Sequence, residues 1–107
     1  FPEEIEDILN RHPLVLESFV FGEEDSKHLE IIAAQIVLNA ETLIEYSDKN
    51  NLKIEKEMMH KLVAEIVKDA NKHLASYKQI KKFYVREKEF EKTTTQKIKR
   101  YLVKSDH

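Results

Sequence analysis

The chain has no cysteine among its 107 residues. That excludes a disulfide framework and thiolate chemistry, and it fits a reducing compartment. One glycine and two prolines exclude a glycine-rich phosphate loop within this chain. No apolar run approaches the ~20 residues that a membrane-spanning helix needs. The opening Phe1-Pro2-Glu3-Glu4-Ile5 lacks the basic and apolar regions of a signal peptide. It also lacks an initiator methionine, so the expectation is a piece of a longer protein. Neither sign of charge dominates: 18 lysines and arginines face 20 acidic residues, for a net charge of −2. No overall field is there to draw in nucleic acid or an anionic membrane.

What remains suits one compact domain and not two. Hydrophobic residues make up 41% and charged residues 36%, which leaves enough apolar side chains for a core. Pro2 suits the first turn of a helix, where its missing N–H costs nothing. Glu3, Glu4 and Glu6 suit the positive end of the helix dipole. Ile5, Ile8 and Leu9 share a helical face, and Pro13 ends that helix near His12. Residues 14–21 (LVLESFVF) and 29–39 (LEIIAAQIVLN) read as strands. The polar stretch 22–28 (GEEDSKH) joins them as an antiparallel hairpin. Residues 41–46 form a short helix, broken by SDKNN at 47–51. Residues 54–74 form the clearest helix, with Met59, Leu62, Ile66, Ala70 and Leu74 at intervals of three and four. Its methionines are expected in the core. KFYVR at 82–86 alternates as a third strand. Ile98, Tyr101 and Leu102 close the chain in a short helix or turn. The fold class is α+β, a small antiparallel or mixed sheet of three strands with packed helices.

Self-sufficient chemistry is hard to find. His12, His28, His60, His73 and His107 form no i, i+4 pair and no metal-ligand spacing with a carboxylate. Glu23, Glu24 and Asp25 read as a solvated turn, with no apolar neighbours to raise a pKa. The serines lack a nucleophile-elbow context. Lys78, Lys81 and Lys82 surround Tyr77 and Phe83. They read as a solvated face, as a nucleic-acid patch, or as a contact for a phosphorylated small molecule. EKTTTQKIKR at 91–100 reads as an ordinary basic tail, or as a loop that extends one lysine into a neighbouring cleft. A lysine ammonium is a compact point charge suited to phosphate and carboxylate oxygens.

Three separated segments turn that choice. FPEEIEDILNRHPLVLES at 1–18 resembles the YPxEIExxLxxHPxVxE opening of a mobile domain. That domain closes the acyl-activating, adenylate-forming enzymes. LASYKQIKKFYV at 74–85 resembles the segment leading into that family's last long strand. FEKTTTQKIKR at 90–100 resembles its terminal LPKTxxGKIxR motif. Glu91 and Gln96 stand where the family usually has proline and glycine. The glycine position is often not glycine in long-chain fatty acyl-CoA synthetases. ETLIEYSDKNNLKIEKE at 41–57 also looks like the extra segment those enzymes carry before the long helix.

The resemblance implies that residues 1–107 are the mobile C-terminal domain of a long-chain fatty acid–CoA ligase. The N-terminal adenylation domain would lie outside this chain. It implies ATP, coenzyme A and Mg2+ as needs of the full-length enzyme, with none expected on this piece alone. Lys97 would contact the acyl carboxylate and the α-phosphate of ATP while the acyl-adenylate forms. The domain would then rotate, and coenzyme A would attack. Lys78, Lys81 and Lys82 are the candidate contacts for coenzyme A phosphates. Residues 93–95 would shape the loop through hydroxyl-to-backbone bonds, with Lys99 and Arg100 anchoring it or solvated. The expected location is cytoplasmic, with peripheral membrane association of the full-length enzyme left open. Two other readings stand beside this one. One is an independent phosphate- or nucleic-acid-binding module. The other is the same domain from an amino-acid-activating peptide synthetase.

Overall fold

In the computed structural model, residues 2–90 are described. They form helix α1 (Pro2–Asn10), strands β1 (Val15–Glu24) and β2 (Glu30–Leu38), helices α2 (Ala40–Lys49) and α3 (Lys56–Asn71), a 3₁₀ turn (Ser76–Lys78) and strand β3 (Ile80–Val85). The sheet order is β1-β2-β3. β1 runs antiparallel to β2, and β3 runs parallel to it. This is the expected α+β class with a mixed sheet.

Helix α1 starts on Pro2 and carries Glu3 and Glu4 in its first turn. It ends two residues short of His12, and i→i−3 bonds from the Arg11 and His12 N–H groups tighten its exit. Pro13 has no N–H to continue the ladder. The hairpin turn is shorter than the polar stretch 22–28. Gly22, Glu23 and Glu24 pair with Ile32, Ile31 and Glu30, so β1 runs on to Glu24. The turn itself belongs to Asp25, whose Oδ1 accepts from the Lys27 N–H (2.8 Å) and the Leu29 N–H (3.0 Å). His28 takes φ 62° to close it. Polar composition marked the region, but Asx-turn geometry fixed its edge.

Asn39 leaves β2 and caps α2, its Oδ1 accepting the Thr42 N–H at 3.1 Å. That helix does not break at Ser47. The buried Ser47 hydroxyl donates to the Ile44 carbonyl at 2.8 Å, which satisfies it within the helix. The break comes at Asn50 and Asn51, the latter at φ 53°. Helix α3 is shorter than 54–74 and buries Val63, Ile66, Val67 and Ala70. Met58 and Met59 are only half-buried, because the core-facing stretch begins one turn later. Asn71 then fixes the start of β3: its Oδ1 accepts the Ile80 N–H (2.8 Å) and its Nδ2 donates to the Ile80 carbonyl (3.0 Å).

The sheet has two differently built faces. One packs Val15, Val20, Ala34, Ile36 and Ile80 against α1 and α3. The other carries Phe19, Phe21, Ala33 and Val37, with Tyr84 beside them and Phe90 closing over. Two bulges decide which residues reach this second face. Val15 pairs with Leu38 but Glu17 with Val37, so Leu16 is an extra residue in β1. Ile80 pairs with Ile32 but Lys82 with Ala33, so Lys81 is an extra residue in β3. Since side chains alternate with period two, each bulge reverses the facing of the strand residues beyond it. Glu17 and Lys82 are thereby turned away from the helices.

Candidate functional site

The second face joins charge to aromatic packing. Phe19 stacks on Phe21 at 5.4 Å between ring centroids, Phe21 on Tyr84 at 6.4 Å, and Phe90 tilts against Phe19 at 6.0 Å. Around this apolar centre sit Glu17, Glu23, Gln35, Lys82 and Arg86.

At one end, the Tyr84 hydroxyl donates to the Glu23 carboxylate at 2.7 and 2.9 Å. Lys82 Nζ lies 3.3 Å from Glu23 Oε2 and 5.4 Å from the Tyr84 ring centroid. Tyr84 and Glu23 together hold the Lys82 ammonium above the usual lysine value. Burial, reinforced by the Glu23 hydrogen bond, raises the Tyr84 phenol. Glu23 is therefore not a solvated turn residue. It reaches across β2 to tie β1 to β3.

At the other end, Arg86 continues the β3 ladder, its N–H donating to the Ile36 carbonyl at 2.8 Å. Its Nη1 donates to Gln35 Oε1 (3.1 Å) and its Nε to the Lys88 carbonyl (2.7 Å). The guanidinium lies 4.7 Å from the Phe90 ring centroid, a cation–π distance. The Phe90 N–H donates to Glu17 Oε2 at 2.6 Å. Phe90 is 3% exposed and Glu17 8%. A groove of about 770 Å³ opens beside this end, lined by His60 and Met59 of α3 and by Phe83, Val85 and Arg86.

The three candidate phosphate-binding lysines do not form one cluster. Lys78 sits in the turn before β3 and bonds Glu4 of α1 at 3.3 Å. Lys82 belongs to the Glu23–Tyr84 group, and Lys81 is exposed on the bulge. Lys97, Lys99 and Arg100 lie outside the described residues, as do residues 93–95 and the closing element expected at Ile98, Tyr101 and Leu102. Among the described residues, no group of three or more His, Asp or Glu side chains could hold a metal ion. None of the described helices is long and apolar enough to cross a membrane.

Glu17, Glu23 and Arg86 had not stood out as site residues. Two of them carried a signal, a charged residue within or just after a short segment rich in aromatic and β-branched residues. Glu17 in LVLESFVF and Arg86 after KFYV are both of this kind.

A family model described as the AMP-binding enzyme C-terminal domain matches residues 4–97. No curated protein matches. Solved structures do. The anthranilate CoA ligase AuaEII, in complex with anthranoyl-AMP, shares 30% identity over 98% of this chain and 17% of its own, with a TM-score of 0.71. The Mycobacterium tuberculosis fatty acyl CoA synthetase shares 26% identity over 100% of this chain and 18% of its own, with a TM-score of 0.67. An acyl-CoA synthetase from Brucella canis shows the same fold at 24% identity over 99% of this chain and 18% of its own, with a TM-score of 0.66. The chain thus spans less than a fifth of each.

Proposed function

The chain belongs to the family of C-terminal domains of AMP-binding, adenylate-forming enzymes, and from that premise we propose that it serves a larger ATP-dependent, AMP-forming long-chain fatty acid–CoA ligase. The observation that carries this reading is the family match through residue 97, which takes in the lysine of the terminal motif. Fatty acyl substrate is favoured by Gln96 at the motif's usual glycine, by the segment at 41–57, and by the presence of a fatty acyl CoA synthetase among the similar structures. An N-terminal domain of the same polypeptide would supply the nucleotide and acyl sites.

The chemistry assigns Lys97 its part. In adenylate formation, an acyl carboxylate oxygen attacks the α-phosphorus of ATP, and pyrophosphate leaves with the electron pair of the broken P–O bond. Two anions must approach each other. An ammonium between them offsets their repulsion and stabilises charge that grows in the transition state. It also holds the reacting atoms in line. In the second half-reaction the thiol sulfur of coenzyme A attacks the acyl carbon and AMP departs. That step calls for a different set of groups at the cleft, which a domain rotation provides. Mg2+ would screen the triphosphate when bound. The described residues offer no ligand cluster for it, so none of them is given a part in holding it.

Lys78, Lys81 and Lys82 belong to this proposal as contacts for coenzyme A phosphates. Lys81 is the best placed, being exposed, while Glu4 and Glu23 already engage the other two. A cytoplasmic location is also part of the proposal.

The test measures the two half-reactions separately in the full-length polypeptide. Lys97→Ala should lower ATP- and palmitate-dependent pyrophosphate release by on the order of 10²–10³, the cost of losing one preorganised charged contact. Thioester formation from supplied acyl-adenylate should survive. Full adenylation by this variant would remove Lys97 from the mechanism. Palmitate should outcompete acetate and benzoate, and the reverse order would overturn the fatty acyl assignment.

A further inference from the structure

We infer that Glu17 is a positioning residue for the adenylation step: its buried carboxylate fixes the backbone of Phe90, seven residues before Lys97. The inference rests on the role proposed above for Lys97. Its structural basis lies wholly among residues 17–90.

Three observations converge on Phe90. Its N–H donates to Glu17 Oε2 at 2.6 Å, at a site where both residues are almost fully buried. A carboxylate is a strong acceptor for a backbone N–H, and burial shields that bond from competing water. Its ring contacts Phe19, at 6.0 Å between centroids, and the Arg86 guanidinium, at 4.7 Å. Arg86 is itself fixed, through Gln35 Oε1 and the Lys88 carbonyl. The segment between β3 and Phe90 is therefore folded back onto the sheet. The bulge at Leu16 makes this attachment workable, because without it Glu17 would face the helices beside Val15.

The consequence is one of reach and direction. Measured from Val85, where β3 ends, Lys97 stands twelve residues along the chain. At ~3.5 Å per residue that allows a radius of roughly 40 Å. Measured from a fixed Phe90, the radius falls to roughly 25 Å. Chain length alone is worth about a factor of two in effective concentration, by its −3/2 power dependence. A fixed direction of departure adds more, since a misplacement of about 1 Å can cost on the order of 10²-fold. The influence proposed for Glu17 passes through Phe90 to where Lys97 can be delivered.

The experiment uses the full-length polypeptide. Glu17→Met removes the acceptor while keeping a long, unbranched side chain. It should lower the adenylation kcat about tenfold, with KM for ATP and for fatty acid held within about twofold. Thioester formation from supplied acyl-adenylate should stay within about twofold, because Lys97 takes no part in it. Glu17→Gln keeps a carbonyl acceptor and should recover most of the loss. Arg86→Met, which loosens the same segment at the Phe90 ring, should reproduce the kcat effect and serves if Glu17→Met does not fold. Equal loss in both half-reactions would make Glu17 merely structural and overturn the inference. Unimpaired adenylation in Glu17→Met, beside a disabled Lys97→Ala, would overturn it alone. Full adenylation in Lys97→Ala would instead strike the functional reading on which it rests.

Discussion

The two faces of the sheet use the same three strands to different ends. The helix-covered face is aliphatic: Val15, Val20, Ala34, Ile36 and Ile80 meet Leu9 of α1 and Val63 of α3. The opposite face places Glu17, Glu23, Lys82 and Arg86 around five aromatic or small apolar side chains. Apolar burial is non-directional, so the first face mainly supplies stability; its directional bonds are those from α1 to β1, where Glu6 Oε2 accepts the Val20 N–H at 2.7 Å and Asn10 Oδ1 accepts the Ser18 hydroxyl at 2.8 Å. Hydrogen bonds and ion pairs are directional, so the second face fixes particular atoms: the Tyr84 hydroxyl, the Arg86 guanidinium, the Phe90 N–H. Damage to the first should cost stability in proportion to volume removed. Damage to the second should cost position first.

The largest effect breaks the first face. Leu9 is 0% exposed and packs in the aliphatic core. Leu9→Ala should destabilise the domain by about 2–5 kcal/mol, through lost transfer energy and the cavity left behind. In the full-length enzyme both half-reactions should weaken together as the folded fraction falls. Denaturant unfolding of this domain beside the two assays checks it. A selective loss of adenylation would mean that the two faces are not separable in this way.

How much of this was open to sequence reasoning divides along the same line. The helix-covered face announced itself. Pro2, the glutamates after it and Pro13 bounded α1, and the stripe from Met59 to Leu74 marked α3 within a few residues, though Met59 itself is only half-buried. Those signals are local and periodic. The second face depends on features that periodicity conceals. A bulge such as that at Leu16 leaves no distinctive residue behind, yet it decides where Glu17 points. Glu23 reads as turn material until its partner Tyr84, sixty-one residues away, is known. Ser47 reads as a breaker until its hydroxyl is seen bonded within the helix. The parallel placement of β3 is a tertiary choice that no single segment encodes. Lys97 was singled out by a motif resemblance, and it lies outside the described residues.

A smaller effect sharpens the comparison at the Glu23 end. Tyr84→Phe removes a hydroxyl that donates to a carboxylate at 2.7 Å. It should cost about 1.5–3 kcal/mol of unfolding free energy, the range for a hydrogen bond to a charged group. The same group predicts an alkaline limit. Lys82 has its folded pKa raised, so its ion pair stabilises fully below the ordinary lysine value of about 10.4 and fades as pH climbs through the raised one. Tyr84 is also raised, because burial disfavours the phenolate. The folded state therefore resists its ionisation, and that advantage too is lost only as pH rises above about 10. Both act in one direction. Unfolding free energy measured from pH 8 to pH 11 should fall less steeply in Tyr84→Phe than in the parent. Equal slopes would show that the group does not govern alkaline stability.

The smallest effect concerns a residue that belongs to neither face. Lys81 is the extra residue of the β3 bulge, exposed between Ile80, which faces the helices, and Lys82, which faces away. An exposed ammonium near a phosphate contributes little, because water and salt screen it. Lys81→Gln in the full-length enzyme should raise KM for coenzyme A by no more than about threefold, which is under 1 kcal/mol. Adenylation and unfolding free energy should be unchanged. Lys78→Gln and Lys82→Gln differ in kind, since each also takes an ion-pair partner from a carboxylate, Glu4 or Glu23. Their effects should therefore appear in stability as well as in KM. A rise in KM confined to Lys81→Gln, and diminished by added salt, would mark the bulge as a place where coenzyme A phosphate is felt. Identical coenzyme A kinetics in all three variants and the parent would reduce the lysines to a solvated surface.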